Sequence, residues 1–393
     1  MIVDHESPAP DTPRTSPVRS GWPPLLALTL GIATVVASEF LPASVLPDLA
    51  RDLGISTGTA GLAVSATAIA GAVTAPTIAV VLPRTNRRTV LIGLVVAALV
   101  SNFAVALTPG FVLLLVARVL LGAALAGYWS FAFAAGITAM PGRDHVVSST
   151  LAFGATLAAV IGVPLASVAG DAIGWRTTFA CVSALALLSV LGLVLTLPSV
   201  PAHPSAGLAM LGRTLRNPRI VFGIVLVALA VLGNFLAYPY VRVAIASVAP
   251  HATGWLLLIW GLGGMAGNLA AGRLAGHLRM LATAAPVALG ISLTLTALAT
   301  SLSVLALAIV LWGFAFNILP VSTQLWMTRT EPERTESALS LQVMSFQSAI
   351  SAGSAVGGVL LDHYGITVVL AIGAVVSVIA GAGFGSGRAP VGA

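Results

Sequence analysis

Residues 280–328 read MLATAAPVALGISLTLTALATSLSVLALAIVLWGFAFNILPVSTQLWMT, 49 consecutive positions without an Asp, Glu, Lys or Arg. A helix crossing the hydrocarbon of a bilayer needs about 20 mostly apolar residues. The run therefore holds two such helices, joined by a tight turn near Ser301 or Ser303. The pattern repeats on both sides of it. Residues 53–83, 89–117, 119–142, 145–170, 220–241, 243–272, 337–361 and 363–387 are also free of charge. The segment from Arg176 to Leu197 and residues 24–46 supply further apolar helices. Spanning helices are thus expected at about 24–46, 58–82, 89–108, 111–138, 147–169, 176–197, 219–241, 253–275, 281–300, 304–326, 338–360 and 364–385. A transmembrane barrel would show short alternating segments instead, and there are none.

Composition agrees. Hydrophobic residues make up 58% of the 393 positions and charged residues 8%, too few charges to cover a water-soluble surface of that size. The fold class is all-α and polytopic, with lipid as solvent. Every one of the 18 basic residues is arginine. With both termini in the cytoplasm, 14 of them fall on the cytoplasmic side: Arg14, Arg19, Arg84, Arg87, Arg88, Arg143, Arg213, Arg216, Arg219, Arg273, Arg279, Arg329, Arg334 and Arg388. Arg51, Arg176 and Arg242 fall outside, and Arg118 lies within the membrane. That asymmetry sets the orientation, and the net charge of +6 then needs no nucleic-acid partner.

Internal symmetry divides the chain. At an offset of about 191 residues Gly122 matches Gly313, and Asp171 to Gly174 matches Asp362 to Gly365; Ala79 and Gly272 correspond at 193. With a polar stretch in the middle, the expected organisation is a disordered cytoplasmic tail at 1–22, a six-helix bundle at 23–197, a cytoplasmic linker at 198–218, a second six-helix bundle at 219–386 and a tail at 387–393. Two such bundles rocking about a midplane site give alternating access. The tail lacks the features of a cleaved signal peptide, so the first helix is expected to stay in the protein.

Polar groups inside the membrane are expensive and mark function. Glu39 is the one acid well inside an expected helix and Arg118 the one similarly placed base. Both lie roughly 12 Å from the outer helix ends, hence at one depth. The functional reading is a titratable Glu39 beside a fixed Arg118 cation, with protonation coupled to the exchange of access; a permanent salt bridge joining helices 1 and 4 is the structural alternative. Tyr128, Trp129, Asn234, Tyr238, Trp260, Asn317, Phe346 and Gln347 are candidates to line a cavity, together with Asn268, Gln324 and Gln342, because amides read donors and acceptors while rings stack on a flat ligand. Hydrogen bonding between helices and anchoring at the membrane interface are the alternatives for the same residues. Small residues on helix 5 (Gly154, Gly162, Pro164, Gly170) and helix 11 (Gly357, Gly358) suit close, movable packing, with Pro164 able to kink its helix.

Several of these stretches resemble the major facilitator superfamily, in its drug and metabolite efflux branch. Arg118 to Gly122 within Ala-Arg-Val-Leu-Leu-Gly resembles the helix 4 motif, Gly154 through Gly170 the helix 5 signature of exporters, and the loop carrying Arg84, Arg87 and Arg88 the one between helices 2 and 3. That loop departs from the family pattern: Ala79 and Pro83 stand where a glycine and an aspartate are usual, and Asn86 where glycine is. The chain is further similar to the purine ribonucleoside efflux group through Glu39-Phe40-Leu41-Pro42, Asp52 to Ser56, Gly127-Tyr128-Trp129, Ile173 to Arg176, Leu197-Pro198-Ser199, Trp312-Gly313 and Gly357-Gly358 with Asp362. The resemblance implies twelve helices in two bundles and proton-driven antiport. It implies a small organic cargo, with purine ribonucleosides first and drugs or sugars as alternatives. The expected partners are that small molecule, protons and the lipid bilayer of the bacterial cytoplasmic (inner) membrane, with a monomer as the working unit. No cofactor is expected: there is no Walker loop, the histidines lack metal-ligand spacing and Cys181 stands alone. No nucleophile–base pair suggests an enzyme.

Overall fold

A computed structural model describes residues 21–82, 84–201 and 212–387. Pro83, the terminal stretches 1–20 and 388–393, and the middle of the linker, 202–211, lie outside the described residues, and with them the expectations for both tails. Among the described residues twelve helices are long and apolar enough to cross a membrane: α1 Trp22–Leu53, α2 Thr57–Ile78, α3 Arg87–Ala106, α4 Phe111–Ala139, α5 Ser149–Ile173, α6 Trp175–Thr196, α7 Pro218–Ala246, α8 Pro250–Arg273, α9 Ala275–Leu298, α10 Leu302–Thr330, α11 Ser337–Tyr364 and α12 Ile366–Ser386. Helical backbone satisfies its own polar groups, which lipid demands.

The expected boundaries are too short where a helix continues past a break. α1 runs seven residues beyond 46 because the chain bends at Val45 (φ −127°, ψ 15°) and resumes. Pro42 and Pro47 flank the bend, each lacking the N–H that the carbonyl four residues earlier would receive. α7 passes through a 3-10 turn at Tyr238–Tyr240, with Pro239 at its centre, and continues to Ala246. α5 carries a π-helical turn at Ala158–Gly162 directly before Pro164. Such wide turns occur where the regular ladder is interrupted.

Packing bears the imprint of the internal repeat. A methyl group at Gly122 of α4 would strike the Thr67 carbonyl of α2, and one at Gly313 of α10 would strike the Trp260 carbonyl of α8. Each glycine thus lets the fourth helix of its half close on the second. Gly154 and Gly170 of α5 abut Thr29 and Val45 of α1, as Gly353 and Gly357 of α11 abut Phe235 and Leu236 of α7. Gly162 makes only ordinary contact with Ala37. One apolar cluster draws on residues 25–200 alone; a second spans residues 226–384 and admits Ala43, Val64, Ala68 and Val163 from the first six helices.

Those four intruders mark where the two sets of helices meet. Ser65 and Ser354 hydroxyls lie 2.6 Å apart across α2 and α11. Gly261 of α8 comes so close to α5 that a methyl there would lie 2.6 Å from the Val160 carbonyl oxygen. Toward the Arg84 end the same faces are uncovered. Arg118 is fully buried, but Trp129, three turns along α4 on the same face, is 47% exposed. Val160 is buried, whereas Phe153, two turns nearer the Arg84 end of α5, is 64% exposed. The helices are closed at the Asp362 end and splayed at the other.

Candidate functional site

Pro42 explains the setting of Arg118. Without a proline N–H, the Ser38 carbonyl has no helical donor, and Arg118 Nη1 donates to it at 2.8 Å. The same guanidinium donates through Nη2 to the Glu39 carbonyl at 3.1 Å and through Nε to the Ala63 carbonyl at 3.3 Å. Three helices, α1, α2 and α4, are tied by one fully buried cation. Asn102 of α3 completes the arrangement by donating to Ser38 Oγ at 2.7 Å.

Glu39 is therefore beside Arg118 without being its salt-bridge partner. Among the described residues no ion pair or side-chain hydrogen bond engages its carboxylate. It is partly buried and lies within electrostatic reach of Arg118 and of Tyr238. A carboxylate so placed is free to change protonation without dismantling the helix contacts around it.

Opposite Glu39 stands an aromatic cluster from the second half. Phe40 meets Tyr238 edge-on at 5.7 Å between centroids, Phe235 meets Tyr238 at 5.5 Å and Phe316 at 5.7 Å, and Tyr238 lies 5.1 Å from Trp260. Trp260 and Tyr238 each stack on Phe316 at 6.4 Å. Burying large rings with polar tips normally brings a partner for the tip. Here the Tyr238 hydroxyl, Trp260 Nε1 and Asn234 Nδ2 are buried with no hydrogen-bond partner, while Asn234 Oδ1 accepts from Trp312 Nε1 at 2.7 Å. The cluster offers flat apolar faces and three unpartnered donors beside an ionisable acid.

The other candidates are distributed differently. Tyr128 is fully buried between helices, its hydroxyl donating to the Leu28 carbonyl at 3.0 Å. Trp129 is exposed on the splayed side. Asn317 is partly buried with Nδ2 donating to Gly313 at 3.0 Å. Phe346 is partly buried and packs against the second-half core. Gln347 is buried against Gly71 of α2, in the seam between the halves. Gln342 is occupied by Thr323. Gly358 packs against Gly58 and Tyr240. Arg87 is buried over the Phe131 ring at 4.3 Å and donates to Leu82 at 2.7 Å, Arg88 donates to Val194 at 2.7 Å, and Arg84 is exposed. The α2–α3 loop is thus bound within its own half. Phe235 and Phe316 were legible only as apolar helix residues and Phe40 only as part of the Glu39-Phe40-Leu41-Pro42 resemblance, and Pro42 four residues after Ser38 was the available signal for the Arg118 carbonyl site. Among the described residues no group of three or more His, Cys, Asp or Glu side chains gathers as metal ligands would.

The major facilitator superfamily model matches residues 28–243 and 220–390. The purine ribonucleoside efflux pump NepI of Salmonella typhimurium is 32% identical over 360 residues, covering 90% of this chain and 91% of the pump; that of Salmonella enteritidis is 31% identical over the same coverage. Among solved structures, the nucleoside transporter NupG, in a variant form, superposes with a TM-score of 0.75 at 17% identity, covering 91% of this chain and 98% of that one. A bacterial homologue of the human lysosomal transporter Spinster, in an inward-facing and unoccupied conformation, gives a TM-score of 0.73 at 16% identity, covering 94% of this chain and 97% of that one.

Proposed function

The chain belongs to the major facilitator superfamily, and we propose that it exports purine ribonucleosides, or compounds of similar shape, in exchange for protons. It is a multi-pass small-molecule transporter of the bacterial inner membrane, related to efflux and antiport families. The observation that carries the finer reading is Glu39, a carboxylate inside the membrane, unpaired and facing an aromatic cluster whose buried donors lack acceptors. A flat heterocycle supplies ring faces and nitrogen or oxygen acceptors, which matches Tyr238, Trp260 and Asn234 in kind.

In this reading the Arg84 end is cytoplasmic, both termini lie there, and the splayed arrangement faces inward. The two halves are the units 23–197 and 219–386, acting as a monomer. Cargo enters from the cytoplasm while Glu39 is ionised. After the halves rock to open the other side, cargo leaves and an external proton binds Glu39. The return step carries that proton inward and releases it. Arg118, held by three carbonyls, stays fixed beside the acid throughout the cycle. The family relatives named for purine ribonucleoside efflux support the choice of cargo.

The experiment is proton flux in sealed vesicles containing the purified protein, challenged in turn with inosine, guanosine, arabinose and a cationic dye. Flux with the nucleosides alone, abolished in Glu39→Gln, is the expected result. Uphill export that persists in Glu39→Gln sinks the carrier assignment. Flux with arabinose or the dye in place of the nucleosides moves the cargo to sugars or drugs.

A further inference from the structure

The repeated Asp-x-x-Gly at 171–174 and 362–365 has not been absorbed by the site above. In both copies the glycine closes a helix with a positive φ, 83° at Gly174 and 79° at Gly365. In both, the aspartate leaves its own half. Asp171 of α5 accepts from Arg242 Nη2 of α7 at 2.8 Å. Asp362 of α11 accepts from the Gly58 N–H of α2 at 2.9 Å and from the Ser56 hydroxyl. We propose that Asp171 and Asp362, corresponding residues of the two halves, are the latches that hold the mouth at the Asp362 end shut.

The partners differ for a reason visible in the repeat. Arg242 corresponds to Arg51 at the same offset of 191, but Arg51 has an acid one turn earlier and pairs with it, Asp48 at 2.9 Å. Arg242 has Pro239 at that position and reaches outside its helix. Its Nη1 donates to the Ser44 carbonyl at 2.6 Å, beside the bend in α1, and lies 3.8 Å from Asp48. Asp362 instead meets the Gly58 N–H in the first turn of α2, which has no helical acceptor. One latch thus closes α5 and α1 on α7, and the other closes α2 on α11. Tyr240, from the break in α7, reinforces the second: its hydroxyl donates to the Ser354 carbonyl at 2.7 Å and lies 3.4 Å from the Gly58 carbonyl. Tyr238, two residues earlier, belongs to the aromatic cluster. The short break therefore joins the candidate cargo site, through Tyr238, to the second latch, through Tyr240, and ends two residues before Arg242 of the first.

These residues position the two halves and need not touch cargo. The proposal rests on the alternating-access reading, but its test requires no substrate, so a wrong cargo or carrier leaves it standing. Spin labels are placed at Leu107→Cys and His251→Cys, exposed positions near the two sides of the mouth, in full-length Cys181→Ser protein in lipid nanodiscs, and their distance distribution is measured. Asp171→Asn and Asp362→Asn are each expected to raise the ratio of the long-distance to the short-distance population about threefold, in line with a partly exposed pair. Together they raise it about tenfold if the sites act independently. A distribution unaltered in the double Asp→Asn variant overturns the latch. A second readout follows the open population itself: a membrane-impermeant maleimide added from that side labels a lone Ser354→Cys, fully buried in the closed arrangement, about threefold faster per latch removed, and an unaltered rate likewise overturns the proposal.

Discussion

Arg118 donates to the Ser38 carbonyl at 2.8 Å, and Ser38 is the residue four before Pro42. The proline creates the acceptor and the arginine fills it, so the Glu-Phe-Leu-Pro run on α1 and the arginine on α4 form one unit. Lysine at 118 keeps the charge but has no planar fork to serve three carbonyls on two helices. Arg118→Lys is expected to lower stability by about 2 kcal/mol, read from thermal unfolding of the purified protein. The penalty should shrink in a Pro42→Ala background, where the alanine N–H restores the helical donor to Ser38. An equal penalty in both backgrounds would detach the arginine from the proline.

Because Glu39 is not the ion-pair partner of Arg118, its neutralisation should be felt in transport and not in folding. Glu39→Gln is expected to unfold within about 1 kcal/mol of the parent while proton-driven flux disappears. A loss of several kcal/mol would restore the static salt bridge as the better account of the acid.

A buried hydroxyl without a partner is destabilising where it sits. Tyr238→Phe removes one and keeps the ring stacked on Phe316 and near Trp260, so it should raise stability by about 1 kcal/mol. Binding of a purine nucleoside, measured by calorimetry, should weaken about tenfold, as for loss of one good hydrogen bond. Unchanged affinity would make the hydroxyl a packing feature.

The long uncharged runs were enough to give twelve spanning helices, because lipid imposes a length and a polarity that any reader of sequence can count. The positions of Glu39 and Arg118 at one depth followed from the same geometry. What the runs hid were the breaks. A proline-flanked bend at Val45, a π turn before Pro164 and a 3-10 turn around Pro239 all lie inside continuous apolar sequence, where periodicity gives no warning of where the chain resumes. Their consequences were hidden too. The Ser38 carbonyl becomes available through a missing N–H on another residue, and Phe40, Phe235 and Phe316 gather only once two halves are packed. Tyr128 illustrates the reverse: an aromatic next to Trp129 in sequence is turned by about 100° on the helix and ends in the packing between α1 and α4.

Glu331, just beyond α10, accepts from Asn217 Nδ2 at 2.7 Å and from Arg334 at 2.6 Å. The Asn217 hydrogen bond, with Arg334 helping and burial opposing, holds its carboxyl below the ordinary 4.5. The folded value lies under the unfolded one. Its contribution to stability is therefore complete above pH 4.5 and is lost as pH falls through the folded value. Glu331→Gln should cost about 1 kcal/mol at neutral pH and flatten the fall in stability below pH 4.5, measured by thermal unfolding in a pH series. A profile as steep as the parent's would assign the acid sensitivity to other carboxylates.

Gly261 tests the movement itself. On α8 it faces the π turn of α5, where a methyl would lie 2.6 Å from the Val160 carbonyl oxygen and 2.9 Å from its Cα. Both obstacles are main chain, so no side-chain rotation relieves them, and the two helices must separate by several tenths of an ångström. That contact joins the two halves on the closed side, and a conformer open there does not require it. Gly261→Ala should disfavour the closed mouth while leaving each half intact. Turnover in vesicles should fall about tenfold, as expected when about 1.4 kcal/mol is added to one conformer of the cycle, with a melting temperature within a few degrees of the parent. Gly212→Ala, with open space around the added methyl, is the control and should transport as the parent does. Equal loss in both variants would mean that the Gly261 effect does not arise from the α5–α8 contact.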